Sequence, residues 1–473
     1  MGIKTDIVVI GAGSAGLSAL RQVQKFTDSY VMIDPGPLGT TCARVGCMPS
    51  KVLISVAKDF HRRHGFPVRG IEGGEGLSCN IPVVMKHVRS LRDRFAAGME
   101  KSTLKLAGKK LIKGRASFVS PTEVQVGSEL YEAKRVVIAA GSHPAIPRAW
   151  MPFRDRILTS EDIFEQQDLP QKIGIIGLGA IGLELGQALS RLGLEIAGFD
   201  MAESIGGLTD PAVNSSALDI LGRELPLYVG EAAEVEPEGD GLRVTAGKTG
   251  LHVDKIIASL GVIPNTEGLG LENLGIELND RGLPPFNPLT MQVADLPVYI
   301  GGDINGCRPI LHEALDEGFI AGQNAGQDAS DCFCRRTSLR IVFSDPSIVG
   351  VGSAFSKLNP GSFVTGKSDF SSQSRAMVEG RNAGLLHIYA DKQTTRLLGA
   401  EMIVPDGEHL GHTLSQAVQQ ELTVSEVLQM PFYHPTIEEG LRSALRDAAV
   451  KSADKYKPGE LTLCGSCPED PVC

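Results

Sequence analysis

The sequence predicts an α/β fold in which two copies of a strand–loop–helix unit are followed by a C-terminal α+β unit. An apolar, β-branched run leads into a glycine-rich turn and a helix-like stretch near the start of the chain, and the same arrangement recurs beyond residue 172. Near the C-terminus, residues 384–389 and 397–402 alternate apolar and polar side chains, as strands of a sheet do. At roughly 150 residues per domain, a chain of 473 residues accommodates about three domains.

The composition excludes several classes of protein. Hydrophobic residues make up 42% of the chain and charged residues 22%, which is typical of a soluble globular protein. The net charge of −10 argues against a nucleic-acid partner, because no basic surplus exists to neutralise phosphates. Residues 7–20 are apolar but contain three glycines, which favours a strand entering a helix over a signal peptide. No run reaches the roughly 18 apolar residues of a membrane span, so we expect a cytoplasmic protein without a membrane partner.

The repeated unit carries a dinucleotide-binding pattern twice. In each copy, glycines stand at the first, third and sixth positions of the turn, and an aspartate lies 23 residues after the first glycine. The first copy has Gly11, Gly13, Gly16 and Asp34, and the second has Gly177, Gly179, Gly182 and Asp200. A single GxGxxG is weak evidence, but two copies with the same spacing and context predict two Rossmann-like domains.

Each position of this pattern has a physical reason. The first glycine permits the tight turn, the second lets the backbone approach a pyrophosphate, and the third lets helix pack on strand. The pyrophosphate then lies at the positive N-terminus of the helix. The aspartate accepts a hydrogen bond from a ribose 2′-hydroxyl and repels a 2′-phosphate, so Asp200, followed by Met201 and no arginine, favours NADH over NADPH at the second site.

Two cysteines, Cys42 and Cys47, follow the first glycine turn closely. Residues five apart in a regular helix lie about 7.5 Å apart along its axis, whereas a disulfide requires Cα atoms within about 6.8 Å. A bond between them therefore requires a distorted helix, which Gly46 and Pro49 would favour. The alternative is a pair of buried thiols that act as small hydrophobic side chains. A metal site would need two further ligands at short spacing, and the sequence has none nearby.

Residues 39–51 (GTTCARVGCMPSK), the two glycine patterns and a later YHPTIEE resemble the class I pyridine nucleotide-disulfide oxidoreductases. The resemblance is strongest to the dihydrolipoyl dehydrogenase group and extends from Lys4 to about Ala449. It implies that the first Rossmann-like domain binds FAD and the second binds NAD. It also implies that Cys42 is the interchange thiol that reacts with substrate and that Cys47 is the charge-transfer thiolate beside the flavin.

The same resemblance assigns further residues to the cofactor sites. Lys51 is expected to approach the flavin ring and to pair with Glu184. Thr41, Gly141 and Asp303 are expected to contact FAD. The chain departs from the family pattern in the nucleotide region, where Val262 replaces a usual arginine and Ala180 replaces a bulkier residue over the flavin.

The motif at residues 434–439 supplies a candidate base. The resemblance implies that His434, oriented by Glu439, exchanges protons with a dithiol substrate and stabilises the Cys42 thiolate. In this family the histidine comes from the other subunit, which implies a homodimer. For His434 alone, the alternative is an ordinary surface histidine. For Thr436 and Glu439 it is a capping box, with Thr436 as the N-cap of the following helix, and capping is compatible with the orienting role of Glu439.

The chain is expected to be organised in interleaved domains with an additional tail. The FAD-binding domain spans residues 1–148 and 267–338, the NAD-binding domain 149–266, the dimerisation domain 339–452 and the tail 453–473. Cys464, Cys467 and Cys473 lie in that tail. They could relay electrons from the partner's redox pair, bind a metal together with Cys332 and Cys334, or be incidental thiols. No metal ligand is assigned.

Three functions compete on this basis. The leading hypothesis is NAD-linked oxidation of dihydrolipoyl groups on a lipoyl-carrying partner protein. The alternative is an NADH-dependent reductase of a protein or small-molecule disulfide that uses Cys464 and Cys467 as a relay. A third possibility, a flavoprotein that senses redox state without turnover, fits poorly with an intact set of Cys42, Cys47 and His434.

Overall fold

The structure of the chain is a computed structural model that describes residues 2–453 and Leu461. Within these residues, no helix combines the length and apolar character that a bilayer crossing requires. The strands are, in chain order, β1 (Ile3–Ile10), β2 (Tyr30–Asp34), β3 (Leu111–Lys113), β4 (Ala116–Ser120), β5 (Glu123–Val126), β6 (Glu129–Ile138), β7 (Ser142–Pro144), β8 (Ile157–Leu158), β9 (Lys172–Ile176), β10 (Glu195–Asp200), β11 (Leu227–Val229), β12 (Glu234–Glu238), β13 (Gly241–Ala246), β14 (Thr249–Val253), β15 (Lys255–Ala258), β16 (Val262–Pro264), β17 (Val298–Ile300), β18 (Leu339–Val342), β19 (Ser347–Gly352), β20 (Phe363–Asp369), β21 (Leu385–Asp391) and β22 (Leu397–Val404).

The described α-helices connect or cover these strands. They are α1 (Ser14–Val23), α2 (Thr41–Arg44), α3 (Cys47–His61), α4 (Ile81–Ala107), α5 (Ala180–Arg191), α6 (Pro211–Leu221), α7 (Leu311–Ala325), α8 (Ser374–Glu379), α9 (Gly407–Gln419), α10 (Val424–Leu428) and α11 (Glu439–Lys451).

The first sheet combines strands from two distant parts of the chain. Strands β3, β2, β1 and β6 are neighbours in that order, and β17 pairs with the C-terminal end of β6 in parallel. Strands β5 and β4 extend the sheet in antiparallel fashion. Residues 7–10 of β1 are buried, as expected for a parallel strand covered on both faces. The connection between β1 and β2 is α1, which gives the βαβ unit that the first glycine pattern predicts.

The second sheet repeats this unit with a separate set of strands. It is fully parallel, in the order β11, β10, β9, β15 and β8, and α5 connects β9 to β10. A three-stranded antiparallel sheet of β12, β13 and β14 is inserted between β11 and β15. Two short antiparallel strands, β7 and β16, run between the two Rossmann-like units.

The C-terminal unit is a five-stranded antiparallel sheet in the order β18, β19, β22, β21 and β20. Helices α9, α10 and α11 pack with it around an apolar core. The predicted α/β fold, with two Rossmann-like domains and an α+β domain at the C-terminus, is therefore confirmed. The domain boundaries proposed from the sequence stay predictions.

Candidate functional site

The two glycine turns have the same geometry. Gly11 and Gly177 have positive φ angles of 102° and 97°. A Cβ built on Gly16 would lie 1.9 Å from the carbonyl oxygen of Gly11, and a Cβ on Gly182 would lie equally close to that of Gly177, at 1.9 Å. The first glycine thus makes the turn and the sixth packs helix on loop, in both copies.

The middle glycines differ from these in facing open space. A Cβ built on Gly13 or on Gly179 meets no protein atom within 4 Å. Both residues directly precede a helix, α1 or α5, whose first N–H groups have no partner within the helix. A side chain here would fill a cradle that is shaped for a phosphate group, so both turns fit a bound dinucleotide.

The two aspartates also hold equivalent positions. Oδ2 of Asp34 accepts a hydrogen bond from the N–H of Ala12 at 2.7 Å, and Oδ2 of Asp200 accepts one from the N–H of Leu178 at 2.6 Å. The second oxygen of each accepts an N–H two residues further along the chain. Each aspartate therefore fixes its glycine turn and keeps lone pairs for a ribose hydroxyl.

The segment that carries the two cysteines is a broken helix. Helix α2 ends at Arg44 and α3 begins at Cys47, so the helix is interrupted as the spacing requires. A Cβ built on Gly46 would lie 3.2 Å from the carbonyl oxygen of Thr41 and 3.4 Å from Cα of Cys42. Glycine at this position lets the start of α3 approach α2 and brings the two cysteines together. Thr41, assigned to the FAD site, is exposed at the first position of α2.

Cys42 and Cys47 are free thiols that differ in acidity. A hydrogen bond with Cys47, followed by burial, raises the pKa of the Cys42 thiol well above its ordinary value. The same hydrogen bond is the largest cause that lowers the pKa of Cys47 to about 7, while burial opposes the shift and the positive charge of Lys51 adds to it. In the reduced pair, Cys47 is therefore the first of the two thiols to lose its proton as pH rises.

Lys51 and Glu184 form an ion pair between two of the structural units. Nζ of Lys51 lies 2.6 Å from Oε2 of Glu184, with 33% of the lysine side chain and 7% of the glutamate side chain exposed. The other oxygen of Glu184 accepts the N–H of Phe343 at 3.0 Å. The ring of Phe343 lies 4.5 Å from the ammonium of Lys51. Phe343 is the residue of this cluster that the sequence does not reveal, because no local pattern relates it to Lys51.

Asp303 lies beside the strand end that closes the first sheet. Its Oδ2 accepts a hydrogen bond from the hydroxyl of Ser142 at 3.1 Å. Burial raises the pKa of Asp303, against the effect of that hydrogen bond. Gly141, which precedes Ser142, has a φ angle of 71°, so the chain turns at this point in a conformation that favours glycine. A half-buried carboxylate at the open end of parallel strands fits a polyhydroxyl ligand such as the flavin nucleotide.

His434 and Glu439 are brought together at the start of α11. Nδ1 of His434 lies 3.1 Å from each carboxylate oxygen of Glu439. Partial burial raises the pKa of Glu439, but hydrogen bonds from His434 and from the N–H of Thr436 lower it by more. The pKa of Glu439 is therefore below its ordinary value. Glu439 thus holds Nδ1 of His434, and 73% of the histidine side chain is exposed.

The predicted capping box at this helix is wrong in one half. Oε2 of Glu439 accepts the N–H of Thr436 at 3.2 Å, as the box requires. The hydroxyl of Thr436, however, donates to the carbonyl of Tyr433, and the N-cap residue of α11 is Glu438. With Thr436 as the N-cap the helix would begin at residue 437, whereas it begins at Glu439, two positions later.

Within the described chain, His434 makes no hydrogen bond or ion pair with Cys42 or Cys47. The expectation that His434 of a second copy completes the site of Cys42 and Cys47 stays a prediction. Cys464, Cys467 and Cys473 lie outside the described residues. Cys332 and Cys334 are exposed free thiols. The described residues contain no cluster of three or more His, Cys, Asp or Glu side chains that could hold a metal ion.

Comparison with known families gives matches along nearly the whole chain. The family described as "Pyridine nucleotide-disulphide oxidoreductase" matches residues 5–325. The family described as "Pyridine nucleotide-disulphide oxidoreductase, dimerisation domain" matches residues 338–445. Together these two matches cover both Rossmann-like units and the antiparallel sheet.

Similar proteins of known name share this extent. A dihydrolipoyl dehydrogenase of Thermus scotoductus is 31% identical over 455 residues, which cover 93% of this chain and 96% of the relative. A dihydrolipoyl dehydrogenase of Manduca sexta is 30% identical and covers 93% of this chain and 91% of its own length. A leghemoglobin reductase of Vigna unguiculata is 29% identical, with 96% of this chain and 88% of the relative covered.

Solved structures share the fold. LpdA of Mycobacterium tuberculosis superposes with a TM-score of 0.82 at 24% identity, over 93% of this chain and 99% of that one. The Cu(II) complex of the HOCl-induced flavoprotein disulfide reductase RclA of Escherichia coli superposes with a TM-score of 0.81 at 20% identity, over 94% of this chain and 99% of that one. At these identities the likeness concerns the arrangement of the strands and helices.

Proposed function

The chain belongs to the pyridine nucleotide-disulphide oxidoreductase family, and from this premise we propose that it oxidises protein-bound dihydrolipoyl groups with NAD⁺ as the final acceptor. Members of this family act on sulfur groups with FAD and NAD(H), which confirms the cofactor prediction. The dimerisation domain makes the protein a homodimer. The dihydrolipoyl substrate and the lipoyl-carrying partner belong to the proposal.

One observation favours a dithiol substrate, namely the contact between His434 and Glu439 at 3.1 Å. A dihydrolipoyl thiol is protonated near neutral pH and must lose its proton before its sulfur attacks. An imidazole that is held in one tautomer by a carboxylate is a suitable acceptor for this proton. The dihydrolipoyl dehydrogenases among the relatives, at 30–31% identity, support the same substrate class.

The reaction at the cysteines is an exchange of one disulfide for another. The first substrate thiolate attacks the sulfur of Cys42 in the Cys42–Cys47 disulfide, which forms a mixed disulfide and releases Cys47 as a thiolate. The second substrate thiol gives its proton to His434 and attacks the substrate sulfur of the mixed disulfide, which closes the lipoyl ring and releases Cys42. Two electrons have then moved to the cysteine pair. The proton of the second substrate thiol passes from His434 to the released Cys42, and the proton of the first substrate thiol is in solvent.

The acidities of the two thiols suit this order of events. A thiol of lower pKa leaves more readily in thiol–disulfide exchange. The pKa of Cys47 is lowered to about 7, so Cys47 departs as a stable thiolate. The pKa of Cys42 is raised, so Cys42 recovers a proton from His434 when it is released. Bound FAD supplies the two-electron acceptor for the reduced pair, and bound NAD⁺ supplies the acceptor of a hydride.

Steady-state assays test the proposal directly. The FAD-loaded dimer is expected to reduce NAD⁺ with free dihydrolipoamide and, at lower KM, with a dihydrolipoylated carrier domain. Cys42→Ser and Cys47→Ser are expected to abolish both reactions while the protein keeps its flavin. If the wild-type protein turns over neither substrate but reduces other disulfides with NADH, the dihydrolipoyl assignment is wrong.

A second candidate, an NADH-dependent disulfide reductase that relays electrons through its tail, rests on Cys464 and Cys467. The flavoprotein disulfide reductase among the structural neighbours shares the fold of this chain. Truncation after Lys457 separates the candidates. Lipoamide turnover is expected to survive the truncation, whereas loss of turnover on a disulfide substrate, with lipoamide turnover retained, would favour the relay.

A further inference from the structure

The ammonium of Lys51 lies at a point where all three structural units meet. Lys51 belongs to α3 of the first Rossmann-like unit, and Glu184 belongs to α5 of the second. Phe343 follows directly after β18, the first strand of the antiparallel sheet. The position of this ammonium therefore depends on how each unit is placed.

Phe343 contacts both members of the ion pair. Its N–H donates to Oε1 of Glu184 at 3.0 Å, which leaves Oε2 directed at the ammonium of Lys51 at 2.6 Å. Its ring lies 4.5 Å from the same ammonium, within the range of a cation–π interaction. The backbone of Phe343 therefore orients the carboxylate, and its ring provides a second contact for the lysine.

The ammonium held in this way acts on the redox pair. Lys51 follows Cys47 by four residues in α3, so both side chains lie on one face of the helix, one turn apart. Among the charged and titratable groups around Cys47, Cys42 and Lys51 lower the pKa of Cys47 and Glu184 raises it. A small displacement of the ammonium, away from Cys47 or towards the carboxylate, changes the balance between these opposed effects.

We propose that Phe343 is a positioning residue that holds the Lys51 ammonium beside Cys47 by presenting its ring face to the ammonium and its N–H to Glu184. Through this contact, the dimerisation domain sets the electrostatic environment of the redox-active thiol. The inference rests on the proposed role of Cys47 as the thiol on the flavin side.

Fluorinated phenylalanines at position 343 test the ring contact without a change of shape. Each added fluorine withdraws negative charge from the ring face and weakens cation–π attraction, while the packing stays the same. The readout is the midpoint pH of the thiolate–flavin charge-transfer absorbance in the FAD-loaded, two-electron-reduced dimer. From unsubstituted to trifluorinated ring we expect the midpoint to rise stepwise, so that the thiolate-to-thiol ratio at fixed pH falls about threefold.

Ordinary substitutions supply matched controls. Phe343→Leu is expected to raise the midpoint as the trifluorinated ring does, and Phe343→Tyr to keep the wild-type value because it retains an aromatic face. Phe363→Leu is the control for loss of a ring from the same domain, since Phe363 lies on β20 and its ring packs on the rings of Phe355 and Tyr389. A flat fluorination series, or a shift in Phe363→Leu as large as that in Phe343→Leu, would overturn the proposal.

The spectrum of the wild-type protein separates an error in the role of Phe343 from an error in the proposed function. If the wild-type protein shows no charge-transfer absorbance on two-electron reduction, Cys47 is not the thiol on the flavin side and the proposed mechanism fails. If the wild type shows the band and its titration is insensitive to the ring at position 343, only the role of Phe343 is wrong.

Discussion

Oδ2 of Asp210 lies 2.7 Å from Nδ1 of His387, and both residues are buried, at 3% exposure each. Asp210 is the N-cap of α6 in the second Rossmann-like unit, and His387 lies on β21 of the antiparallel sheet. The hydroxyl of Tyr389 donates to the same oxygen at 3.0 Å. Oδ1 accepts the N–H groups of Ala212 and Val213. One carboxylate therefore caps a helix and joins two domains.

Asp210→Asn is expected to destabilise the FAD-loaded dimer by about 2–4 kcal/mol, because the new amide leaves at least one buried donor without an acceptor. Asn80→Ala is a suitable control, since Asn80 caps α4 at an exposed position and its loss should cost only about 1 kcal/mol. Thermal unfolding of both variants measures the difference. Equal shifts in melting temperature would show that the contact with His387 and Tyr389 contributes nothing.

The same carboxylate predicts a dependence of stability on pH. Although burial raises the pKa of Asp210, hydrogen bonds from His387 and Tyr389 lower it to a value below the ordinary 3.8. The folded state thus binds this proton more weakly than the unfolded state does, so the stabilisation is present above about pH 4 and is lost as pH falls below it. Acid unfolding of Asp210→Asn should be less steep in this range than that of the wild type.

The Cys42 thiol is expected to control the titration of Cys47. In the two-electron-reduced wild type, the charge-transfer absorbance should be present above about pH 7 and disappear as pH falls through that value, because the pKa of Cys47 is lowered to about 7. Hydrogen bonding from Cys42 is the largest cause of this shift, so Cys42→Ala, read with oxidised flavin and without reduction because it has no disulfide, should show a midpoint about one unit higher. Cys42→Ser keeps a hydroxyl donor and should shift the midpoint less; the reverse order would contradict this assignment.

Mixed dimers test whether His434 acts across the subunit interface. Dimers that combine one Cys42→Ser subunit with one His434→Gln subunit contain one intact site if the histidine comes from the partner, and none if it comes from the same chain. Random assembly of equal amounts makes half of the dimers mixed, so activity of about a quarter of the wild-type value is expected. Each homodimer alone should lose about 10²-fold or more in kcat for dihydrolipoamide oxidation. Activity in the mixture no higher than in the separate variants would place both groups in one chain.

The second glycine turn allows packing and ligand binding to be separated. Gly179→Ala adds a Cβ that meets no atom within 4 Å, so the melting temperature should not change, while the KM for NAD⁺ should rise about tenfold. Gly182→Ala places a Cβ 1.9 Å from the carbonyl oxygen of Gly177, so it should lower stability by about 1–3 kcal/mol. Melting curves recorded without NAD⁺ and initial rates recorded with it distinguish the two effects. A stable Gly182→Ala variant would contradict the packing role.

The local sequence was sufficient for the fold class and for both dinucleotide turns. The glycine positions follow from short-range sterics, because a turn that passes under a helix start excludes a Cβ at fixed places. The break between α2 and α3 was also predictable, since two cysteines five apart require it. The N-cap of α11 was not, because the hydroxyl of Thr436 donates to the carbonyl of Tyr433 and the helix begins only at Glu439.

Only the tertiary structure decided what the polar residues of the last sheet do. The alternation around residues 384–389 and 397–402 predicted strands, and β21 and β22 confirm them. The polar side chains His387 and Glu401 are nevertheless buried, at 3% and 1% exposure, since this face of the sheet meets the second Rossmann-like unit. Alternation reports the two faces of a strand and says nothing about what covers each face.

The sequence by itself thus determined the elements whose residues are neighbours in the chain: two glycine turns, the paired cysteines and the histidine with its carboxylate. The tertiary structure decided the contacts between units, such as Asp210 with His387 and Phe343 with Lys51. The physical reason is that local patterns reflect short-range sterics and hydrogen bonds. The partner of a buried charge is set instead by the packing of domains, which brings together residues far apart in the chain.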